Sequence, residues 1–132
     1  MTVFLDTVGL LAVWNKTDQW HPAVNTLFAG LHTARANLIT TSFVLLECGN
    51  AAARTPYRGS VNRLREKLES TDRLIIPIES DWHQAWSAYQ RGEADSAGIV
   101  DHISFTVMRR LGIARAFTNG RHFRAAGFET MF

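Results

Sequence analysis

The 132-residue chain has one cysteine, Cys48. That excludes an intrachain disulfide and fits a reducing compartment. It has no uninterrupted apolar run near the ~20 residues that a membrane-spanning helix needs. The opening Met1-Thr2-Val3-Phe4-Leu5-Asp6 has no basic leader, and an acid follows the apolar residues at once. That makes a poor secretion signal, so the expectation is a soluble, cytoplasmic protein with no membrane association. Repeats, low-complexity tracts and linker-like stretches are missing too, and residues 1–132 read as one domain. At this length roughly two-thirds of the unfolded surface can be buried, so folding requires neither a disulfide nor a structural metal. Lysine is scarce: 12 of the 14 basic residues are arginine, and no lysine follows Lys67.

What is present is ordinary in bulk, with 46% hydrophobic and 20% charged residues, as in soluble globular proteins. Its order is more informative. Short apolar runs alternate with helical patterns, the signature of βαβ units around a parallel sheet. Strands are expected at Thr2–Leu5, Asn37–Thr40, Leu74–Ile78 and Ala114–Thr118, with 128–132 as a closing edge strand. Pro77 places the third strand's end near a sheet edge. Helices are expected at Val8–Trp14, from about Asp18 to Arg35 with Pro22 in the first turn, and at Phe43–Arg54 behind the possible caps Thr40, Thr41 and Ser42. Further helices are expected at Tyr57–Ser70, Asp81–Arg91 and Ile99–Leu111, the last stopped by Gly112. Residues Gly92–Gly98 read as a polar loop. The fold class is α/β: a three-layer α/β/α sandwich with a mostly parallel sheet of four or five strands.

Open parallel sheets bind ligands beyond the carboxyl ends of their strands. Asp6 stands directly after the first strand, and Thr118 and Asn119 end the fourth. Glu47 lies one turn into the helix after the second strand, and Asp101 begins the helix that leads into the fourth. Glu47 sits within Phe43-Val44-Leu45-Leu46-Glu47-Cys48-Gly49. A carboxylate turned inward there costs several kcal/mol unless paired or bound to a metal. Each acid has an ordinary alternative. Asp6 and Asp101 suit helix caps, and Glu47 can face solvent or pair with an arginine. As a set, carboxylates without partner histidines or thiolates suit a hard cation, Mg²⁺ with Mn²⁺ as a substitute. Such an ion activates a bound water and neutralises phosphate charge, which points to a phosphodiester or phosphoryl substrate. With these three acids set aside, nine others face fourteen bases, so the outer surface would be basic around an acidic pocket.

Four segments, in this order and at these spacings, resemble the motifs of PIN-domain nucleases. They are Val3-Phe4-Leu5-Asp6-Thr7, Phe43 to Ala51 around Glu47, Asp101-His102-Ile103-Ser104-Phe105, and Phe117-Thr118-Asn119-Gly120-Arg121-His122-Phe123 followed by Ala126-Gly127-Phe128. The nearest group in character is the VapC-like toxins of type II toxin–antitoxin systems. The resemblance implies a Mg²⁺-dependent endoribonuclease that leaves a 5′-phosphate and a 3′-hydroxyl. It implies Asp6, Glu47 and Asp101 as metal ligands, with Asn119 completing the catalytic set where the family often has an aspartate. Thr7, Thr118 and Asp95 are further contributors, Asp95 about one position from the family's spacing. The resemblance also implies a cognate antitoxin and a homodimer. The alternative reading is a catalytically impaired PIN-like domain acting as an RNA-binding or protein-interaction module, which Asn119 motivates.

RNA contacts are expected from Arg54, Arg58 and Arg121, the first two in the basic run 54–67, whose other reading is a solvated helix face. Trp14, Trp20, Trp82 and Trp86 are candidates for base stacking, or for core or dimer surface. His102 and His122 are candidates for proton transfer. Two other small α/β classes fit poorly. A phospho-receiver domain needs a lysine near its last strand, and an Asp-x-Asp phosphatase needs an acid where Val8 stands.

Overall fold

A computed structural model describes all 132 residues. Five strands form one parallel sheet: β1 (Thr2–Leu5), β2 (Asn37–Thr41), β3 (Leu74–Ile75), β4 (Arg115–Phe117) and β5 (Glu129–Thr130). Their spatial order is β3-β2-β1-β4-β5. The chain leaves β1 toward β2 on one side and reaches β4 on the other. The carboxyl end of β1 is therefore the point where strand order reverses, and Asp6 emerges there. Val3, Phe4 and Leu5 are fully buried, as expected for a central strand covered on both faces.

The helices are α1 (Thr7–Trp14), α2 (His21–Thr33), α3 (Ser42–Ala52), α4 (Arg58–Ser70), α5 (Glu79–Gln90), the single turn α6 (Glu93–Ser96), α7 (Ile99–Leu111) and α8 (Arg121–Ala125). Their apolar stripes set which face is covered. In α3 the buried residues are Val44, Leu45, Cys48 and Ala52, one face at helical spacing. Thr41 caps this helix, its hydroxyl accepting from the Val44 amide at 3.2 Å. Helix α7 ends at Gly112 in the left-handed conformation (φ 70°), where Ile113 returns its amide to the Met108 carbonyl at 2.8 Å. The main core joins Phe4, Leu5, Phe105, Phe117 and Phe123, with Phe105 and Phe123 edge-to-face at 4.9 Å. No helix is long and apolar enough to cross a membrane.

Two contacts fix the frame around the carboxyl edge. Gly9 brings α1 against β4: a β-carbon there would lie 2.2 Å from the Phe117 carbonyl oxygen. Only glycine permits that approach. On the other flank, Arg110 of α7 clamps the buried Asp81 of α5 in a two-point contact at 3.0 and 2.8 Å. The second Asp81 oxygen also accepts the Ile78 amide at 2.9 Å, capping α5.

Two expectations need correction. The third strand is two residues long, not five, because Ile76 and Ile78 turn out to solvent (64% and 49% exposed) and Pro77 lacks an amide for the ladder. The segment 92–98 is not a plain polar loop. Ala94, Asp95 and Ser96 all have φ between 53° and 57°, three consecutive non-glycine residues in a conformation that costs about 1–2 kcal/mol each.

Candidate active site

Asp6 occupies the cap position of α1, yet its carboxylate caps nothing. It is 5% exposed and accepts the Thr118 hydroxyl at 2.8 Å. The helix-cap reading therefore fails for this residue. It fails for Asp101 as well: α7 is capped at Gly98, with no side-chain cap bond. Asp101 is half-buried in the first turn of α7.

Glu47 differs from expectation. The buried stripe of α3 leaves Leu46 and Glu47 on its open side, so Glu47 is exposed and not embedded in apolar surroundings. Its carboxylate is nonetheless held: the Thr7 hydroxyl donates to Oε1 at 2.6 Å. Thr7, next to Asp6 in sequence, thus ties the start of α1 to the middle of α3.

The acids act on one another electrostatically. Burial first, then the charges of Asp101 and Glu47, push the Asp6 carboxyl up from 3.8 to about 7, against the Thr118 hydroxyl and the Thr7 backbone. Asp101 is raised by burial and by Glu47, while His122 opposes the rise. No arginine or lysine offsets either acid. Three carboxylates from separate segments repel one another across the carboxyl edge of the sheet. As the side chains lie, no three His, Cys, Asp or Glu groups stand close enough to enclose an ion. The donors are all oxygen and no arginine or lysine compensates their charge, which is the chemistry a Mg²⁺ or Mn²⁺ ion fits. Cys48 beside them is not a competing ligand. Burial drives its thiol up to about 12, so it stays neutral and fills space.

The remaining candidates divide. Thr118 touches Asp6 directly and also accepts the Gly120 amide at 3.1 Å. Asn119 next to it offers its backbone carbonyl to Arg124 at 3.2 Å, and no hydrogen bond joins its amide to the acids. Asp95 is exposed, 3.6 Å from Arg121, a solvated pair that contributes little to stability. His102 is buried among aromatics, 5.6 Å from the Phe105 ring and 6.4 Å from Tyr89. Burial lowers its pKa, and its Nε2 has no partner, so it is a core residue and not a proton shuttle. His122 is the histidine whose charge reaches an acid, and its Nδ1 lies 3.1 Å from the Ala94 carbonyl. That contact pins the strained turn α6 beside the pocket. Nothing in the sequence announced it, because left-handed alanine and serine have no sequence signature.

The basic run is not one surface. Arg65 bonds Glu69 at 2.7 Å and Asn62 at 2.8 Å, and Arg63 bonds Ser60, as on a solvated helix face. Arg58 donates to the Ala53 carbonyl at 3.0 Å. Arg54 makes no such contact and lines a polar cleft. Trp82 and Trp86 stand 43% and 40% exposed on α5, in an edge-to-face row with Tyr89.

No family model matches the chain. A curated relative, the 23S rRNA-specific endonuclease VapC20 of Mycobacterium tuberculosis, is 29% identical over 127 residues, covering 96% of this chain and 95% of the relative. The crystal structure of M. tuberculosis VapC20, described as a Sarcin-Ricin loop cleaving toxin, superposes with a TM-score of 0.80 at 27% identity over the same shares. VapBC2 from Rickettsia felis, bound to a DNA fragment from its promoter, shares the fold at 14% identity and a TM-score of 0.68, covering 99% of this chain and 98% of that one. Likeness to VapC20 in sequence and in fold runs nearly end to end, and Asp6 stands at the reversal of strand order: the chain is similar to this VapC endonuclease over almost its whole length.

Proposed function

We propose that the chain is a Mg²⁺-dependent endoribonuclease, the toxin of a toxin–antitoxin pair, with Asp6, Glu47 and Asp101 as the metal ligands. The observation that carries this reading is Asp6. It is a buried carboxylate, pushed to about 7, with two further acids acting on it and no arginine or lysine acting against them. A group in that state gains most from a divalent cation. The ion, when bound, supplies an activated water and a positive charge at the scissile phosphate.

The chain's own residues do the rest. Thr118 orients the Asp6 carboxylate, and Thr7 holds that of Glu47 toward the pocket. His122 sits where it can moderate the charge of Asp101. Asn119 borders the site as a neutral residue, where an amide orders solvent without adding charge. Arg54, Arg58 and Arg121 are the proposed RNA contacts. Likeness to VapC20, a 23S rRNA-specific endonuclease, supports RNA as substrate class. An antitoxin is the proposed partner. A second copy of the chain is proposed to cover the exposed Trp82, Trp86 and Tyr89 row, a patch of the kind that marks an interface.

The test is incubation of the purified protein with total RNA, with and without Mg²⁺, beside Asp6→Ala, followed by mapping of fragment 5′ ends. Cleavage by the wild type in Mg²⁺ alone, with 5′-phosphate ends, is the expected result. RNA left intact by protein that binds Mg²⁺ normally would sink the reading.

A further inference from the structure

The polar cleft at the far ends of α1 and α3 has no part in the acidic pocket. Its volume is about 680 Å³, and its walls are Trp14 to Thr17 on one side and Arg54 to Tyr57 with Ser60 on the other. Each wall is a rigid turn that presents one free cation. Asn15 fixes the first: its side-chain oxygen accepts the Thr17 amide at 3.1 Å and hydroxyl at 2.7 Å, and its carbonyl accepts the Asp18 amide at 3.0 Å. Lys16 lies inside that turn and makes no hydrogen bond or ion pair of its own, so its ammonium points to solvent. The Thr55 hydroxyl and amide fix the second, both bonding the Ala52 carbonyl, at 2.8 and 3.1 Å. Arg54 lies inside it, equally unpaired. Trp14 and Tyr57 are half-buried, packed against the main core on one side and facing the cleft on the other.

The cleft is connected to the acids by the two helices that frame it. Thr7 at the start of α1 bonds Glu47 in the middle of α3. From that bond, seven residues lead along α1 to Trp14, and five along α3 to its end at Ala52 with Arg54 two residues beyond, on the order of 10 Å by either route at the rise of an α-helix. We propose that this cleft is the subsite for the single-stranded RNA backbone flanking the cut bond, with Lys16 and Arg54 each taking a phosphate and Trp14 or Tyr57 offering a ring to an unstacked base. The proposal rests on the ribonuclease reading and adds the register of the substrate to it. A paired set of phosphate contacts and a ring wall is how single strands are held without base-specific bonds. Pre-fixed turns reduce the ordering cost of such a contact. A separate basic cluster, Arg35, Lys67 and Arg73 around an apolar floor of Leu38, Leu64 and Leu68, lies beside the amino ends of β2 and β3 and serves as the control.

The test measures binding of a labelled, mixed-sequence single-stranded RNA oligonucleotide by anisotropy, in chelator so that nothing is cut, over a series of salt concentrations. Each phosphate contact to a single strand contributes about 0.7 to the slope of log K against log salt. The double variant Lys16→Ala/Arg54→Ala is expected to lower that slope by about 1.4 and to weaken binding about tenfold at the lowest salt. The double variant Lys67→Ala/Arg73→Ala is expected to leave both unchanged. An unchanged slope in the first variant overturns the proposal, as do equal losses in both variants or no RNA binding by the wild type. So does a first variant that loses affinity for polyglutamate and keeps it for RNA, since the cleft would then serve an acidic protein. Adding Mg²⁺ to the same samples separates the two readings. Wild-type protein that binds with the expected slope and never cuts fails as a nuclease while the subsite stands.

Discussion

Asp6 and Asp81 are both buried aspartates at the start of a helix, 5% and 1% exposed, and they are in opposite electrostatic states. Burial raises both. At Asp81 the hydrogen bonds and charge of Arg110, with the Ile78 amide, outweigh it and hold the carboxyl below its ordinary range. At Asp6 there is one hydroxyl, no cation and two more acids, and the carboxyl rises to about 7. The fold supplies Asp81 with its counter-charge. It leaves Asp6 without one. A buried carboxylate whose partner is built in belongs to the architecture, and one whose partner is missing marks a place where a cation must come from outside.

The largest expected effect breaks the comparison at Asp6. Asp6→Asn keeps the shape and removes the charge, and its RNA cleavage in Mg²⁺ is expected to fall by about 10³-fold or more, since a metal site supplies several kcal/mol to the transition state. The folded protein is expected to survive. Asp81→Asn should leave cleavage within a few-fold of the wild type.

Next is pH. A carboxyl raised on folding contributes stability below its unfolded value, and that contribution is lost as pH rises through its folded value. For Asp6 the window runs from about 3.8 to about 7, and the loss is about 4 kcal/mol at most. Metal-free wild type is therefore expected to lose stability from pH 4 to 7.5 relative to Asp6→Asn, by denaturant melts of both, and Mg²⁺ is expected to restore it by binding the ionised form. Asp81 has the opposite sign. Its contribution is present above the ordinary aspartate value and lost as pH falls through its lower folded value. Parallel pH curves for wild type and Asp6→Asn would contradict the assignment.

Third is the clamp. Arg110→Met leaves the buried Asp81 carboxylate without its cation and is expected to cost about 3 kcal/mol in a denaturant melt, the usual penalty for one broken partner of a buried pair. Cleavage per folded molecule should be unchanged. A loss of activity with full stability would place this clamp in the site instead of the frame.

Much of this was readable from the sequence, for identifiable reasons. Strand β1 and helix α7 match expectation residue for residue, because the first is a buried apolar run ended by an acid and the second is stopped by Gly112. The positions of Asp6 and Asp101 followed from strand ends in a parallel sheet. What was not readable depended on three-dimensional phase. Glu47 looked buried because its neighbours are apolar, yet the stripe Val44, Leu45, Cys48, Ala52 turns it outward, and Leu46 is 64% exposed beside it. Thr118 and Asn119 were equivalent as letters, and only strand register gives the Asp6 contact to Thr118. The left-handed turn at Ala94–Ser96 violates local preference, so it is imposed by packing, with His122 on the Ala94 carbonyl.

The smallest expected effect tests whether the one side-chain hydroxyl on Asp6 matters. Thr118 is fully buried and its hydroxyl donates to Asp6 while accepting the Gly120 amide. Thr118→Val keeps the volume and the β-branched strand shape and removes both bonds. The Asp6 carboxyl then loses a group that favours its ionised form, so its titration should move further up and Mg²⁺ should bind more weakly, about tenfold, as for other groups that orient a metal ligand. The Gly120 amide loses its acceptor, which costs about 1 kcal/mol of stability. Thr118→Ser restores the hydroxyl without the methyl group and should recover the metal affinity while keeping a small packing loss. Recovery by serine but not valine identifies the hydroxyl as the orienting group. Equal behaviour of the two would mean that Asp6 is positioned by burial alone, and the contrast with Asp81, which has three donors in place of one, would be sharper than drawn above.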